Sequence, residues 1–357
     1  MAPHLRSLPL LVLLVCAMLP PSLGASSDDD HELLMLDRFH RWMSAHGRSY
    51  PSAAEKLLRF EVYRGNVDFI DASNKEAERL GYELGENEFT DLTNDEFVAR
   101  YTGGVYNHEE DKGSVITTLA GDVTEGVSLF ESANENPPLR FDWREHGAVT
   151  PAKNQGACGC CWAFAAAATV EGLNKIKGGQ LVELSVQELL DCSPPPWDSP
   201  CESGSPSHAL YYVKNYGGLL TEAEYPYVAK KGPCLSREKH GPRIGKITGD
   251  KDVEPRTEQA LALAVLKAPV AVSIDASGPT MQSYRSGVYK GPCNTTHNHA
   301  MAVVGYGVDA AGVQYWIAKN SWGQTWGQKG FAFIRRGADG SKGLCGIAEW
   351  NVYPVKD

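Results

Sequence analysis

Cys161 begins a helical stretch. The residues before it, Asn154-Gln155-Gly156-Ala157-Cys158-Gly159-Cys160, crowd glycine and cysteine. After it, Phe164, Ala167, Val170, Leu173 and Ile176 follow without a proline until Gly178-Gly179. A cysteine at a helix N-terminus meets unpaired N–H groups and the positive end of the macrodipole, which favour thiolate over thiol. Such a thiolate is a nucleophile and needs a base. Cys161 has no histidine close by in the chain, but folding can bring His299 to it. Residues 300–305 and 314–319 read as buried strands around a turn at 308–312. A hairpin centred on that turn sets His299 opposite Asn320, with Cα atoms about 5 Å apart. The amide oxygen can then accept from one ring N–H and fix which nitrogen faces the thiol. Nucleophile, base and orienter together make acyl transfer possible.

Blander readings exist for each residue. A histidine ahead of an apolar strand is usually structural, and an asparagine near a turn usually caps it. Cys158, Cys160 and Cys161 as metal ligands would need a second Cys-x2-Cys or His-x3-His half, which the chain lacks, so no metal is expected.

The elements around these residues divide the chain. It has 357 residues, 42% hydrophobic and 22% charged. The net charge of -10 argues against nucleic acid or an anionic membrane as a partner. Arg6, an apolar run at 8–19, Pro20-Pro21 and then small residues at Ser22, Gly24 and Ala25 read as a secretory signal cut near residue 24. The run is too short to span a bilayer. Of nine cysteines, Cys16 leaves with the signal and the other eight all follow residue 157. In a secreted chain such a set implies disulfides. All eight could pair, or six could pair and leave two thiols.

Ahead of the cysteine-rich part, residues 32–44 read as an amphipathic helix with Leu33, Leu36, Phe39 and Trp42 on one face. Pro51-Ser52 opens a longer helix that carries Glu55, Arg59, Tyr63, Asn66, Ile70 and Asn74 on one face. Alternation in residues 85–91, Gly-Glu-Asn-Glu-Phe-Thr-Asp, predicts a short strand, and residues 91–95 predict a helix cap. Residues 102–136, rich in Gly, Glu, Asp, Ser and Thr, read as a cleavable linker.

The helix series resembles the Glu-x3-Arg-x3-Phe-x2-Asn-x3-Ile-x3-Asn pattern of the inhibitory propeptide of papain-like cysteine proteases, with Tyr63 in place of Phe. Asn87, Phe89 and Asp91 match the family's Gly-x-Asn-x-Phe-x-Asp segment. Farther on, Cys158-Gly159-Cys160-Cys161-Trp162 resembles the family's Cys-Gly-[Ser/Ala]-Cys-[Trp/Tyr] signature, with His and Asn far downstream. Cys160 is the departure. Asn320-Ser321-Trp322-Gly323 resembles the family's Asn-Ser-Trp-Gly box.

The resemblance implies an α+β, two-lobed papain-like fold. A helical lobe would carry Cys161, and a β-barrel-like lobe would carry His299 and Asn320. It divides the chain into a signal peptide (1–24), a propeptide (25–136, with a helical core at about 35–95) and a peptidase domain (137–357). It implies a cysteine endopeptidase made as a zymogen, acting on proteins or peptides without a cofactor. Its partners would be its own propeptide and cystatin-type inhibitors, and it would be a monomer in the vacuole, lysosome or extracellular space. Gln155 and the Cys161 N–H would form an oxyanion hole, each donor contributing roughly 3 kcal/mol. Trp322 would shield the His299–Asn320 bond. Disulfides would join Cys158 to Cys201, Cys192 to Cys234 and Cys293 to Cys345, leaving Cys160 as a free thiol. Gly204 would bind substrate backbone, while Ser205, Pro206, Ser273, Ala300 and Trp350 would line the specificity pocket. With Trp350 as its floor, the pocket should be shallow and prefer small apolar groups. Asn294 stands in a glycosylation sequon. Acid is expected to loosen the propeptide through carboxylates such as Asp91 and Glu55. Two rival readings are a non-catalytic relative, disfavoured because Gln155, Cys161, His299 and Asn320 are all present, and an exopeptidase, which would need an added occluding segment.

Overall fold

The computed structural model describes residues 27–105, 136–193, 201–337 and 342–357. The apolar leader, most of the expected linker and the prolines at 194–196 lie outside the described residues. The chain parts into two compact units, 1–48 and 49–357.

In the first unit, α1 (Ser27–Ala45) buries Met35, Phe39 and Trp42, at helical spacing. Phe39 stacks on Trp42 with ring centroids 6.0 Å apart. The expected apolar face was placed partly on the wrong side, because Leu33 (63%) and Leu36 (36%) are exposed. Met35, not Leu36, continues the stripe that Phe39 and Trp42 define.

The second unit opens with α2 (Ala53–Asn74), capped by the Ser52 side chain, which accepts from the Glu55 N–H. Short α3 (Ala77–Leu80), β1 (Tyr82–Leu84), α4 (Asn94–Tyr101) and β2 (Gly104–Val105) follow. Thr93 and Glu96 form a reciprocal capping box at the start of α4. The predicted strand at 85–91 is instead a turn, and the strand lies just before it. Asn87 is the cause: its side chain accepts from the Phe89 N–H at 2.8 Å, and its main chain bonds the Thr90 hydroxyl. These local bonds replace a ladder.

The polar face of α2 reads the segment that follows it. Asn66 donates to the carbonyls of Thr90 and Leu92, and Asn74 exchanges hydrogen bonds with both main-chain groups of Leu84. Tyr63 bonds the Glu86 carboxylate, and Ile70 enters the core.

Among the described residues the remaining α-helices are α5 (Cys161–Ile176), α6 (Val186–Cys192), α7 (Pro206–Tyr216), α8 (Glu258–Val265) and α9 (Pro279–Gln282). The remaining strands are β3 (Phe141–Asp142), β4 (Ser203–Gly204), β5 (Gly249–Asp252), β6 (Val270–Ile274), β7 (Tyr284–Tyr289), β8 (His299–Val308), β9 (Gln314–Lys319), β10 (Phe331–Arg335) and β11 (Asn351–Val355). Among the described residues the main sheet runs β1-β7-β10-β9-β8-β6-β11-β5, with β3 also on β8. One core surrounds the largely apolar α5, with Trp162, Val170, Leu189 and Leu210. The other lies on the sheet, with Ile274, Met301, Trp316 and Trp322, and takes in Ile70, Phe89 and Phe97 from the front segment.

A buried polar cluster ties α5 to the strand that leads to Asn320. Glu171 of α5 accepts from the Thr150 hydroxyl at 2.6 Å, and Lys319 at the end of β9 donates to the same hydroxyl at 2.6 Å. Lys319 Nζ lies 3.7 Å from the Glu171 carboxylate. A paired charge of this kind fixes geometry more than it adds stability. Disulfides join Cys158 to Cys201, Cys192 to Cys234 and Cys293 to Cys345, with Cα separations of 4.5, 4.8 and 5.3 Å. Cys160 and Cys161 are free thiols and both are buried.

Candidate active site

Cys161 is the first residue of α5, with Cys160 at the cap position. Burial pushes the Cys161 thiol up to about 11, offset in part by backbone N–H groups, chiefly that of Ala300, then those of Trp162 and Gly103. Desolvation therefore outweighs the helix end here and favours the thiol over the thiolate.

The Ala300 N–H adjoins His299, so the head of β8 brings sulfur and imidazole to one place. His299 Nε2 bonds Asn320 Oδ1 at 2.7 Å. The same oxygen accepts the Ser321 N–H at 2.7 Å, so Nε2 must be the donor toward it. Nδ1 is left buried without a hydrogen-bond partner. Trp322 stacks on the imidazole with centroids 4.4 Å apart and is itself fully buried. Burial lowers the His299 pKa to about 4, against the opposing effect of Asn320. Thiol and imidazole are thus both neutral here, without a hydrogen bond between them.

The hairpin forms, but its register differs from the expected one. Ala302 faces Lys319, and beyond an irregularity near Gly305 Tyr306 faces Trp316. The turn centres later than predicted, because Asp309 closes a five-residue loop by bonding Val313. Asn320 lies past the end of β9 and reaches His299 through its side chain, while Trp322 takes the place over the ring.

Gln155 is fully buried. Its N–H donates to the Ser321 carbonyl at 2.8 Å, and its Oε1 accepts from Ser321 Oγ at 2.6 Å. Its Nε2 donates to the Cys158 carbonyl at 2.9 Å and to the Tyr101 carbonyl at 3.2 Å. Tyr101 also accepts from Trp322 Nε1 at 2.9 Å. A front-segment carbonyl therefore occupies donors beside the thiol. The residues after it follow it in: the Gly103 N–H donates to the Asn298 carbonyl, and β2 pairs parallel with β4, Val105 opposite Gly204. Gly204 cannot carry a side chain, since a Cβ would lie 2.4 Å from the Trp162 ring.

Ser205 and Pro206 stand at the N-terminus of α7. Ser273 faces Ala300 across β6 and β8, and the Ser273 N–H donates to the Trp350 carbonyl at 3.1 Å. The Trp350 ring is engaged: the Arg256 guanidinium lies 4.0 Å from its centroid, and His297 meets it edge-on. Asn294 is exposed beside the Cys293 disulfide.

Several partners escaped the sequence reading. Arg59 does pair with Glu55 at 2.8 Å, but it also makes a two-pronged contact with Glu96 at 2.7 and 2.9 Å. The Arg59 guanidinium holds the Glu96 carboxyl down to about 2. The cap expected over residues 91–95 stops short of Glu96, and only the fold shows what lies opposite it. Glu88 accepts from Asn154 at 2.9 Å, close to the cleft. Gln282 gathers Phe89, Leu92, Asn87 and Asn94, and nothing in the sequence singled it out.

Residues 137–355 match the papain family cysteine proteases, and residues 39–97 match the cathepsin propeptide inhibitor domain. The chain is 40% identical to fruit bromelain of Ananas comosus over 346 residues, covering 97% of this chain and 93% of bromelain. Among solved structures, a recombinant stem bromelain precursor superposes with a TM-score of 0.79 at 40% identity, covering 91% of this chain and 99% of the other. The proform of the ragweed pollen allergen Amb a 11 gives 0.79 at 38% identity, with 91% and 96% covered.

Proposed function

The chain belongs to the papain family of cysteine proteases and is an endopeptidase made as a zymogen; from that premise we propose how its residues share the work. In the matured enzyme the Cys161 proton passes to His299 Nδ1, and the sulfur attacks the peptide carbonyl carbon. A C–S bond forms and the carbonyl electrons move to the oxygen, and that oxyanion accepts hydrogen bonds from Gln155 Nε2 and the Cys161 N–H. The adduct collapses, the C–N bond breaks, and His299 gives its proton to the leaving amine. Water then attacks the thioester with His299 as base, which releases the acid and restores the thiol. Asn320 holds the ring so that Nδ1 faces the sulfur, and Trp322 keeps water from that bond.

One observation carries this reading. The His299 nitrogen bonded to Asn320 is Nε2, which leaves Nδ1 bare at the strand end whose next N–H reaches the Cys161 sulfur. Peptidase activity of matured Cys161→Ala and His299→Ala tests it, and activity kept by either variant would remove the assignment.

The zymogen is silent for two reasons. Burial keeps thiol and imidazole neutral, and the Tyr101 carbonyl occupies Gln155. Acid activation acts through carboxylates that hold the propeptide. Those named from sequence accept from Tyr50 (Asp91) and Arg59 (Glu55), contacts that hold the front segment together. The Arg59–Glu96 pair is not the acid-sensitive joint, since that carboxyl stays ionised to about 2. Zymogen activity that does not rise between pH 7 and pH 4 would remove the acid step.

Ser205, Pro206, Ser273, Ala300 and Trp350 form the pocket for the residue two before the scissile bond, which favours small apolar groups. A peptide-library profile led by Phe or Arg would reject this. Cystatin-type inhibitors compete for the same cleft. The enzyme works as a monomer in a vacuolar, lysosomal or extracellular compartment, with a glycan at Asn294. A mass unchanged by endoglycosidase would exclude the glycan.

A further inference from the structure

We propose that Tyr227 and Cys160 form a hydrogen-bonded clamp that positions Gln155 for its work on the oxyanion. The proposal rests on the reading of Gln155 as an oxyanion-hole donor. It also gives a task to Cys160, where this chain departs from the family signature.

Gln155 has four polar handles. Ser321 holds its N–H and its Oε1, and Cys158 takes its Nε2. The fourth handle, the main-chain carbonyl, accepts from the Tyr227 hydroxyl at 2.7 Å. That carbonyl belongs to the peptide unit leading into Gly156, which sits at φ +59. Glycine allows such a peptide unit to swing, and two bonds hold it: the phenol on its carbonyl and the Asn154 side chain on the Gly156 N–H, at 2.9 Å. Loss of the phenol bond loosens the backbone from which the Gln155 side chain branches.

The phenol is itself fixed. The Tyr227 N–H donates to Glu222 at 2.8 Å, and its ring meets Phe164 of α5 edge-on, 4.9 Å away. Its oxygen lies 2.9 Å from Cys160 Sγ. Because the hydroxyl proton is committed to the Gln155 carbonyl, the thiol must be the donor in that contact. The chain of bonds runs from Cys160 S–H to Tyr227 Oη–H to the Gln155 carbonyl. It ties the oxyanion residue to the cap of the helix that begins with the nucleophile. Burial pushes the Cys160 thiol up to about 12 and the Tyr227 phenol higher still, so both protons stay in place. Cys160 is fully buried, which suits a hydrogen-bond donor and not an oxidant sensor.

Two reagents separate positioning from general damage. A peptide aldehyde adds the Cys161 sulfur to its carbonyl carbon, and the carbonyl electrons move to the oxygen in the hole, which takes a proton. Iodoacetamide is attacked at its CH2 carbon and expels iodide, so no oxyanion forms. In the matured protease, Tyr227→Phe should lower kcat about fivefold to tenfold, the worth of one neutral hydrogen bond, with KM little changed. Aldehyde binding should weaken by the same factor. The pH midpoints and the iodoacetamide rate at Cys161 should not move. Cys160→Ala should give a smaller loss of the same kind, and Cys160→Ser, which restores a donor, should recover most of it. Gln155→Ala should cost about a hundredfold in kcat. If Gln155→Ala costs nothing, the oxyanion reading fails and the clamp with it. If Gln155→Ala is costly but Tyr227→Phe leaves kcat and aldehyde binding intact, the clamp alone is wrong. Equal slowing of alkylation and turnover by Tyr227→Phe would also overturn the clamp, by showing a loosened site.

Discussion

Residues 49–101 and residues 102–105, all ahead of the matched peptidase domain, meet it by different means. The first stretch uses side chains together with one backbone ladder, at β1. Phe89 and Phe97 are fully buried and meet Trp322 edge-on at 6.0 and 4.9 Å. Gln282 binds four front-segment residues, Tyr82 reaches the Gly291 carbonyl at 2.6 Å, and β1 extends the sheet beside β7. The second stretch uses backbone: a two-residue ladder on β4 and the Gly103 N–H on Asn298. Gly103 carries no side chain because the fit demands it; a Cβ there would lie 2.3 Å from the Gly159 carbonyl oxygen. Backbone contacts of this kind are open to any peptide, so a substrate can replace the crossing strand. The aromatic and amide contacts of the anchor belong to this sequence alone. The sequence-specific contacts sit in the anchor, and residues 102–105 cross to β4 and Asn298 by backbone alone.

Phe97→Ala should break the contrast most severely. Emptying a fully buried Phe site costs about 3 kcal/mol or more, so the zymogen should show a lower melting temperature together with premature activity. Gly103→Ala should sharpen it: overpacking of about 1–3 kcal/mol falls on the crossing alone. The zymogen should then leak activity while the melting temperature of the anchored part hardly moves. Arg59→Gln removes a half-buried pair within the anchor and should cost about 1–2 kcal/mol. Its pH dependence has a definite sign. The Glu96 carboxyl is depressed to about 2 in the fold, so the pair stabilises fully above the ordinary carboxylate range. The melting difference between wild type and Arg59→Gln should be constant from pH 7 to 5, shrink below that and vanish near pH 2. Glu88→Gln at the Asn154 rim should do least, about 0.5 kcal/mol, read as a small rise in zymogen activity.

Features written in local pattern were legible in the sequence. The helix from Cys161, the six-residue face of α2 and the cap at Thr93 follow from spacing and residue type. Features set by long-range fit were not. Arg59 and Glu96 lie on different helices, and no periodicity links them. The His299–Asn320 contact was expected for a reason that proved inexact: the loop closed by Asp309 and Val313 centres the ladder later, and a side chain makes up the difference. Nor could the thiolate argument foresee a covered cleft. A helix end favours the anion, but full burial under the propeptide outweighs it.

The central claim is that Cys161 becomes a nucleophile only when the cleft opens to leave it facing His299. The direct measurement is the pH dependence of Cys161 alkylation by iodoacetamide, with the label located by mass spectrometry, in the zymogen, the matured enzyme and matured His299→Ala. The account predicts rapid labelling of the matured enzyme well below the ordinary thiol range of about 8.5. His299→Ala should shift labelling back to alkaline pH, and the zymogen should resist until about pH 11. Equal labelling of zymogen and matured enzyme at neutral pH, or a matured profile indifferent to His299, would contradict it.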